Sequence, residues 1–336
     1  MFIDREEELG ELLKLIRFEP NVINFVYGPM NSGKTALMLE FLKRLPQDHV
    51  GFYVNFRATP VSSYEEFSRV LFSTEYGGIK KTIKEIVKGL AKINTGIPIP
   101  QEILEVILKE KEPINAFSYL KDLMLEIIES GKRPVLVFDE IQVIKDLKVD
   151  GPLIYQLFNF LIHLTKEIHL AHVFVVTSDS LFIGEVYGNA KLTGRAEYFP
   201  VYDLSREASM ELLRTLGVSG EEAELLWEYF GGKPGYLIEG AKRRGKVREW
   251  CELKLRLRIR EIRKFKDYKI LDKFLEREEV EVEELGEEER KLIKENILFY
   301  DPLKGTLSPQ GRLELLAIRS LKSRAPSSPS TSSAPR

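Results

Sequence analysis

The segment from Gly28 to Thr35 constrains the fold more than any other part of the chain. It fits the pattern G-x-x-x-x-G-K-[ST], follows the apolar run Val22–Tyr27 and opens a stretch of helical period, Thr35–Leu45. A glycine-rich turn between a strand and a helix lets backbone N–H groups converge on phosphate oxygens, and the helix N-terminus adds partial positive charge. The pattern predicts a phosphate-binding loop. Its predicted binding residues are Gly28, Pro29, Met30, Asn31, Ser32, Gly33, Lys34, Thr35 and Ala36.

Two side chains of this loop carry specific roles in the pattern. Lys34 is predicted to reach the β and γ phosphates of a nucleotide and to act in catalysis. Thr35 is predicted to place its hydroxyl on Mg²⁺. The loop therefore predicts both a nucleotide site and a metal site.

Short apolar runs alternate with longer helical patterns up to residue 203, which is typical of a parallel α/β sheet. Runs rich in Val, Ile and Phe with turn residues at their ends indicate strands buried on both faces. The predicted strands are Val22–Tyr27, Gly51–Phe56, Pro134–Phe138, Ala171–Thr177 and Ala196–Val201. Helices are predicted over Asp4–Arg17, Thr35–Leu45 and Ala116–Ser130. The predicted fold class is α/β, a P-loop NTPase sheet flanked by helices.

The rest of the chain divides by composition and pattern. Residues 73–113 are longer than a crossover requires and predict a helical insertion that covers the sheet, with a partner-binding or gating insert as the alternative. Residues 204–266 predict a helical lid region. Residues 267–322 predict helices and a hairpin, which together indicate a winged-helix domain. Residues 323–336 are rich in Ser, Pro and Ala and predict a disordered tail.

Charge and cysteine content exclude several classes of protein. Fifty Lys and Arg against 52 Asp and Glu give a formal charge of −2, so net charge does not drive this chain onto nucleic acid. The segment Lys242–Lys269 is nevertheless basic, and we interpret it as a solvated helix face paired with local acids or as a surface for the phosphates of double-stranded DNA. The single cysteine, Cys251, excludes an intrachain disulfide and suits a cytoplasmic location. No signal-peptide or membrane-spanning pattern is present, so no membrane helix is expected.

Two adjacent carboxylates, Asp139 and Glu140, directly follow the predicted strand Pro134–Phe138. In a parallel sheet they lie at the carboxyl edge, where ligands of this fold class bind. Asp139 is predicted to hold Mg²⁺ through water. Glu140 is predicted to position or deprotonate the water that attacks the γ phosphate.

Taken in order, the motifs of this chain resemble the archaeal ATPase family, which belongs with the STAND and AAA+ ATPases and is related to archaeal origin-recognition proteins. The resemblance covers roughly Met1 to Leu321 and implies ATP or ADP with Mg²⁺ as ligands. The segments that carry it are Phe2–Leu9, Gly28–Thr35, Asp139-Glu140, Thr177–Ser180, Gly194–Ala196 and Gly231–Pro234.

The resemblance also implies residues that contact the adenine base. Phe2, Ile3 and Arg5 match a box that lies against adenine, although Arg5 is equally interpreted as a first-turn residue after the helix N-cap candidate Asp4. Pro234 matches a Gly-x-Pro box that packs on the base, with a plain turn as the alternative.

Further residues implied by the resemblance act at the γ phosphate. Thr177 or Ser178 matches a polar sensor, with strand-end capping as the alternative, and Ser178 is assigned here to the catalytic set. Arg195 matches a Gly-Arg motif whose arginine approaches the γ phosphate in cis or from a neighbouring subunit, with a solvated arginine as the alternative. Asp179 departs from the expected pattern, because it places an acid near a site that holds polyanionic phosphate. If its carboxylate points inward, slow hydrolysis is expected.

Two functions follow as hypotheses. The first is an Mg²⁺-dependent ATPase whose helical and winged-helix regions move with the nucleotide state. The second is a slow-turnover switch or scaffold that binds DNA or a protein partner. A monomer and a nucleotide-dependent oligomer are both compatible with the sequence.

Overall fold

The computed structural model describes residues 5–74, 82–188 and 192–323. Phe2, Ile3 and Asp4, which carry sequence-based predictions, lie outside these ranges, as do residues 324–336 of the predicted tail. The chain folds into two compact units, Met1–Tyr202 and Asp203–Arg336.

The first unit alternates helices and strands. Its helices are α1 (Glu6–Leu15), α2 (Lys34–Lys43), α3 (Tyr64–Leu71), α4 (Ile83–Lys88), α5 (Gln101–Glu110), α6 (Pro113–Glu129), α7 (Leu153–Ile162) and α8 (Ser180–Tyr187). Its strands are β1 (Ile23–Tyr27), β2 (His49–Asn55), β3 (Phe72–Ser73), β4 (Ile93–Thr95), β5 (Ile97–Pro98), β6 (Arg133–Asp139), β7 (His172–Thr177) and β8 (Ala196–Pro200).

Six of these strands form one parallel sheet in the order β4-β2-β6-β7-β1-β8. All five residues of β1 are buried, as expected for a strand covered on both faces. The five strands predicted from the sequence are present, with ends that differ from the prediction by at most two residues. The predicted parallel α/β sheet is therefore confirmed. Because β7 lies between β1 and β6, the carboxyl ends of these three strands meet at one edge.

Residues 73–113 contain more than helices. Between Thr82 and Pro113, where the chain is described, α4 and α5 are accompanied by β4, which pairs with β2 and extends the main sheet. The short strand β5 pairs separately with β3. The prediction of a helical insertion did not include β4, because its three residues, Ile93-Asn94-Thr95, are too few and too polar to produce a strand signal.

The second unit is helical with a small sheet. Its elements are α9 (Arg206–Thr215), α10 (Glu221–Phe230), α11 (Pro234–Ala241), α12 (Val247–Ile262), β9 (Val280–Glu281), α13 (Glu287–Lys294), β10 (Leu298–Asp301), β11 (Thr306–Pro309) and α14 (Arg312–Lys322). The antiparallel pairing of β10 with β11 confirms the predicted hairpin, and β9 adds a third strand to it. Phe230 anchors the helical core, with its ring centroid 4.9 Å from that of Trp250 and 4.7 Å from that of Tyr236. Within the described ranges, no helix is long and apolar enough to cross a bilayer.

Candidate functional site

The loop between β1 and α2 has the backbone that its glycines were expected to permit. Gly28 has φ +151°, and a Cβ there would lie 2.2 Å from the carbonyl oxygen of Val201, so only glycine fits. Gly33 precedes α2 with φ 96°. The first-turn N–H groups of α2 lack acceptors within the helix and are available to an anion.

Lys34 lies at the centre of this loop. Its ammonium donates hydrogen bonds to the carbonyl oxygens of Gly28 (3.0 Å) and Pro29 (2.8 Å) and contacts Ser32 Oγ at 3.4 Å. The side chain is buried. A cation is thus held on the loop, as the sequence pattern predicts for a phosphate site.

Thr35 and Asp139 are brought together from α2 and β6. The Thr35 hydroxyl donates to Asp139 Oδ2 at 2.8 Å, and the Tyr53 hydroxyl of β2 donates to the same oxygen at 2.7 Å. Burial, reinforced by the nearby Asp139 carboxylate, raises the pKa of Tyr53, so its hydroxyl keeps its proton and remains a donor.

The other carboxylate oxygen, Asp139 Oδ1, is buried without a hydrogen-bond partner among the described residues. A buried and unpaired carboxylate oxygen is costly, and a divalent cation satisfies it. A carboxylate beside a hydroxyl is also the donor set that Mg²⁺ prefers. These residues therefore fit an Mg²⁺ ion, which Thr35 and Asp139 would hold.

Glu140 follows β6 with φ 59°, a left-handed conformation that starts the 3₁₀ helix Ile141–Ile144. Its Oε2 lies 2.6 Å from Arg57 Nη2 and accepts a 2.6 Å hydrogen bond from Gln142 Nε2. Burial raises the pKa of the Glu140 carboxyl, while Arg57 and then Gln142 oppose the rise. Glu140 therefore stands next to the Asp139 site as a carboxylate with increased basicity.

At the end of β7, Thr177 rather than Ser178 joins this polar network. The Thr177 hydroxyl donates to Gln142 Oε1 at 2.7 Å and accepts from the Asp179 N–H at 3.0 Å. The Asp179 carboxylate accepts from Phe182 N–H at 3.0 Å and caps α8. It also lies 3.6 Å from Lys145 Nζ. Asp179 is thus occupied by the helix that follows it, which removes the reason for expecting it to oppose a phosphate.

Arg5 binds the backbone of the Gly28–Ala36 loop. Its buried guanidinium donates to the carbonyl oxygen of Ser32 at 2.9 Å, to that of Tyr202, and to the Glu8 carboxylate. These contacts give Arg5 a loop-holding position that neither of the two sequence interpretations contained.

Arg195 is not part of this site within one chain. Its carbonyl oxygen accepts from Ile23 N–H at the amino end of β1, whereas the loop follows the carboxyl end of that strand. At about 3.3 Å per residue, the five residues of β8 place Arg195 roughly 16 Å from the loop edge. The predicted approach in cis is therefore wrong, because a parallel register sends the start of β8 to the opposite edge.

Pro234 belongs to the second unit, where it is the first residue of α11. The preceding Gly232 packs on Leu204 so closely that a Cβ would lie 1.9 Å from the Leu204 carbonyl oxygen. Lys233 forms a buried ion pair with Asp203 at 2.9 Å. The predicted contact of Pro234 with the base stays a prediction.

Tyr53, Arg57 and Gln142 were missed by the sequence analysis. Asn55 pairs with Asp139 in the β2–β6 register, so the end of β2 lies beside the Asp-Glu pair. That adjacency is a property of strand order, which a single sequence does not reveal. Of these three residues, Gln142 had a local signal in the sequence, because it is a polar residue two positions after Glu140.

A parallel sheet with a phosphate loop after one strand and an Asp-Glu pair after another defines a P-loop NTPase. Residues 2–239 match a family described as an ATPase domain predominantly from Archaea. Residues 242–321 match the C-terminal domain of the uncharacterized ATP-binding proteins described as MJ1010-like. The chain belongs to this archaeal ATPase family.

Sequence relatives agree with that assignment, and solved structures agree with the fold. The chain is 64% identical over 319 residues to an uncharacterized ATP-binding protein of Pyrococcus horikoshii, covering 95% of this chain and 98% of the relative. The fold is similar to that of a Walker-type ATPase of Pyrococcus abyssi, with a TM-score of 0.62, 16% identity and coverage of 95% and 96% of the two chains. It is also similar to the ORC2 protein of Aeropyrum pernix, with a TM-score of 0.51, 13% identity and coverage of 95% and 94%.

Proposed function

We propose that the protein is an Mg²⁺-dependent ATPase that binds ATP on the Gly28–Ala36 loop and hydrolyses it. The observation that carries this proposal is the arrangement at one sheet edge. Lys34 lies on the loop, Asp139 accepts from Thr35 through Oδ2 while its Oδ1 has no partner among the described residues, and Glu140 follows directly. The name of the Pyrococcus horikoshii relative supports ATP as the nucleotide.

In the proposed reaction a water molecule attacks the γ phosphorus. The water gives its proton to Glu140 while the bond from the γ phosphorus to the β–γ bridging oxygen breaks, which yields ADP and inorganic phosphate. Lys34 stabilises charge on the phosphates, and Mg²⁺, when bound, neutralises charge on the β and γ oxygens. Thr177 or Ser178 would contact the γ phosphate, and the hydrogen bonds favour Thr177.

A slow-turnover switch is the second candidate. It is favoured by the ion pair between Arg57 and Glu140, which occupies one oxygen of the proposed base. In such a protein, nucleotide binding rather than turnover would set the state of the helical and winged-helix regions.

The proposal includes double-stranded DNA as a partner of the second unit, and the basic segment Lys242–Lys269 supports it only in part. Four of its cations pair with acids of the same unit, namely Lys242 with Glu239, Arg248 with Glu221, Arg258 with Glu314 and Lys264 with Glu295. Arg256, Arg260 and Arg263 remain exposed along or just after α12. Contacts from these arginines to phosphates predict an affinity that falls steeply with salt.

The test is steady-state phosphate release with ATP and Mg²⁺, with and without duplex DNA. Lys34→Ala is the control for the nucleotide site. Glu140→Gln is expected to keep nucleotide binding and to lower hydrolysis at least about tenfold. Unchanged hydrolysis in that variant contradicts the role of Glu140, and tight binding with negligible release in the wild-type protein favours the switch.

A further inference from the structure

Gln142 occupies a position that the ATPase proposal does not use. It lies in the 3₁₀ helix after Glu140, between the ends of β6 and β7. Its amide spans the two side chains to which hydrolysis is assigned, because Nε2 donates to Glu140 Oε2 at 2.6 Å and Oε1 accepts from Thr177 at 2.7 Å.

The direction of these hydrogen bonds is fixed by the partners. An ionised Glu140 only accepts, so the NH₂ group of Gln142 must face it. The Thr177 hydroxyl already accepts the Asp179 N–H, and its one proton goes to Gln142 Oε1. Neither a carboxylate nor an apolar side chain at position 142 makes both bonds.

Both contacts with Glu140 fall on the same oxygen, Oε2. Among the described residues, Oε1 has no hydrogen-bond donor, so this is the oxygen left to take a proton from water. Arg57 is 62% exposed, whereas Gln142 is half-buried, so Gln142 is the more firmly positioned of the two partners.

We propose that Gln142 is a positioning residue that orients Glu140 for hydrolysis and couples it to Thr177. Thr177 has one hydroxyl proton, and an oxygen of the γ phosphate would compete with Gln142 Oε1 for it. A change in the hydrogen bonding of the Thr177 hydroxyl therefore alters the hydrogen bond to Glu140, because the Gln142 amide makes both contacts. This inference rests on the proposed ATPase function and names a further residue in the same site.

The test compares Gln142→Met, which keeps side-chain length and removes both hydrogen bonds, in the wild-type and Glu140→Gln backgrounds. Gln156→Met is the matched control, because Gln156 is also half-buried and donates to the carbonyl oxygen of Val149 at 2.6 Å, in the first unit but outside this network. We expect Gln142→Met to lower kcat about tenfold with little change in ATP affinity, and to have no further effect in Glu140→Gln. The control is expected to hydrolyse ATP like the wild-type protein.

A second variant keeps half of the hydrogen-bond network. Gln142→Glu retains an acceptor for the Thr177 hydroxyl but has no donor for Glu140, so it is expected to lower kcat about as far as Gln142→Met does. Binding of a non-hydrolysable ATP analogue, which does not depend on turnover, is expected to keep its wild-type affinity in both variants.

The outcomes separate this inference from the proposed function. Wild-type kcat in Gln142→Met overturns the role of Gln142, and so does an equal loss of kcat in both backgrounds. If Glu140→Gln hydrolyses ATP normally, the roles of both residues fail. If the wild-type protein releases no phosphate, hydrolysis fails as the function and the role of Gln142 fails with it.

Discussion

Acid is expected to destabilise the first unit through one buried histidine on β7. His172 is 4% exposed, and its Nε2 has no hydrogen-bond partner among the described residues. Burial is the main cause that lowers its pKa from 6.5 to about 4, with His49 and Arg133 adding repulsion. His172 therefore binds a proton near pH 6.5 in the unfolded chain, but only near pH 4 in the folded chain.

The lowered pKa of His172 makes the free energy of unfolding depend on pH. Because the unfolded state binds more protons between these pH values, the free energy of unfolding falls as the pH drops from 6.5 and stops falling, for this group, near 4. At about 1.36 kcal/mol per factor of ten in proton affinity, the lowering of the His172 pKa from 6.5 to about 4 amounts to about 3 kcal/mol. That is a large part of the stability of an ordinary domain.

Urea unfolding of the wild-type protein and His172→Asn at several pH values measures this contribution. Both tryptophans, Trp227 and Trp250, belong to the second unit, so their fluorescence follows that unit, while far-UV circular dichroism follows both. The transition seen by circular dichroism alone is assigned to the first unit. The wild-type midpoint is expected to fall further than the variant's between pH 7 and 4, and exposed His163→Asn serves as the control. Parallel pH profiles for wild type and His172→Asn would refute the reasoning.

Three further predictions concern the nucleotide site. Gly28→Ala is expected to abolish binding of a fluorescent ATP analogue, because the added Cβ meets a backbone oxygen at 2.2 Å, and normal binding contradicts this close approach. Tyr53→Phe removes a donor to the Asp139 carboxylate and is expected to raise the Mg²⁺ concentration for half-maximal hydrolysis at least about tenfold, whereas an unchanged Mg²⁺ titration excludes a role for Tyr53 in holding that ligand. Arg57→Ala removes the cation that opposes the raised pKa of Glu140, so the acid limb of the pH–rate profile is expected to move to higher pH, and a shift to lower pH contradicts the assignment.

The backbone of the site was predictable because its signals are local. The phosphate loop needs glycine at Gly28 for close approach, and the apolar run before Asp139 marks a buried strand. The contacts that refine the site are not local. Tyr53 reaches Asp139 across 86 residues and Thr177 reaches Gln142 across 35, and both depend on which strands are neighbours.

Strand direction also decides which of the motif residues meet. Asp139 and Thr177 end parallel strands and therefore share an edge, whereas Arg195 directly precedes β8 and lies at the other edge. A motif identifies the type of side chain that such chemistry requires, but the direction of its strand determines whether that side chain can take part. Among the residues that the structure describes, the arginine that reaches the proposed base is Arg57, two residues after β2. A contribution from Arg195 would thus require a second copy of the chain, and hydrolysis by a single chain has to proceed without it.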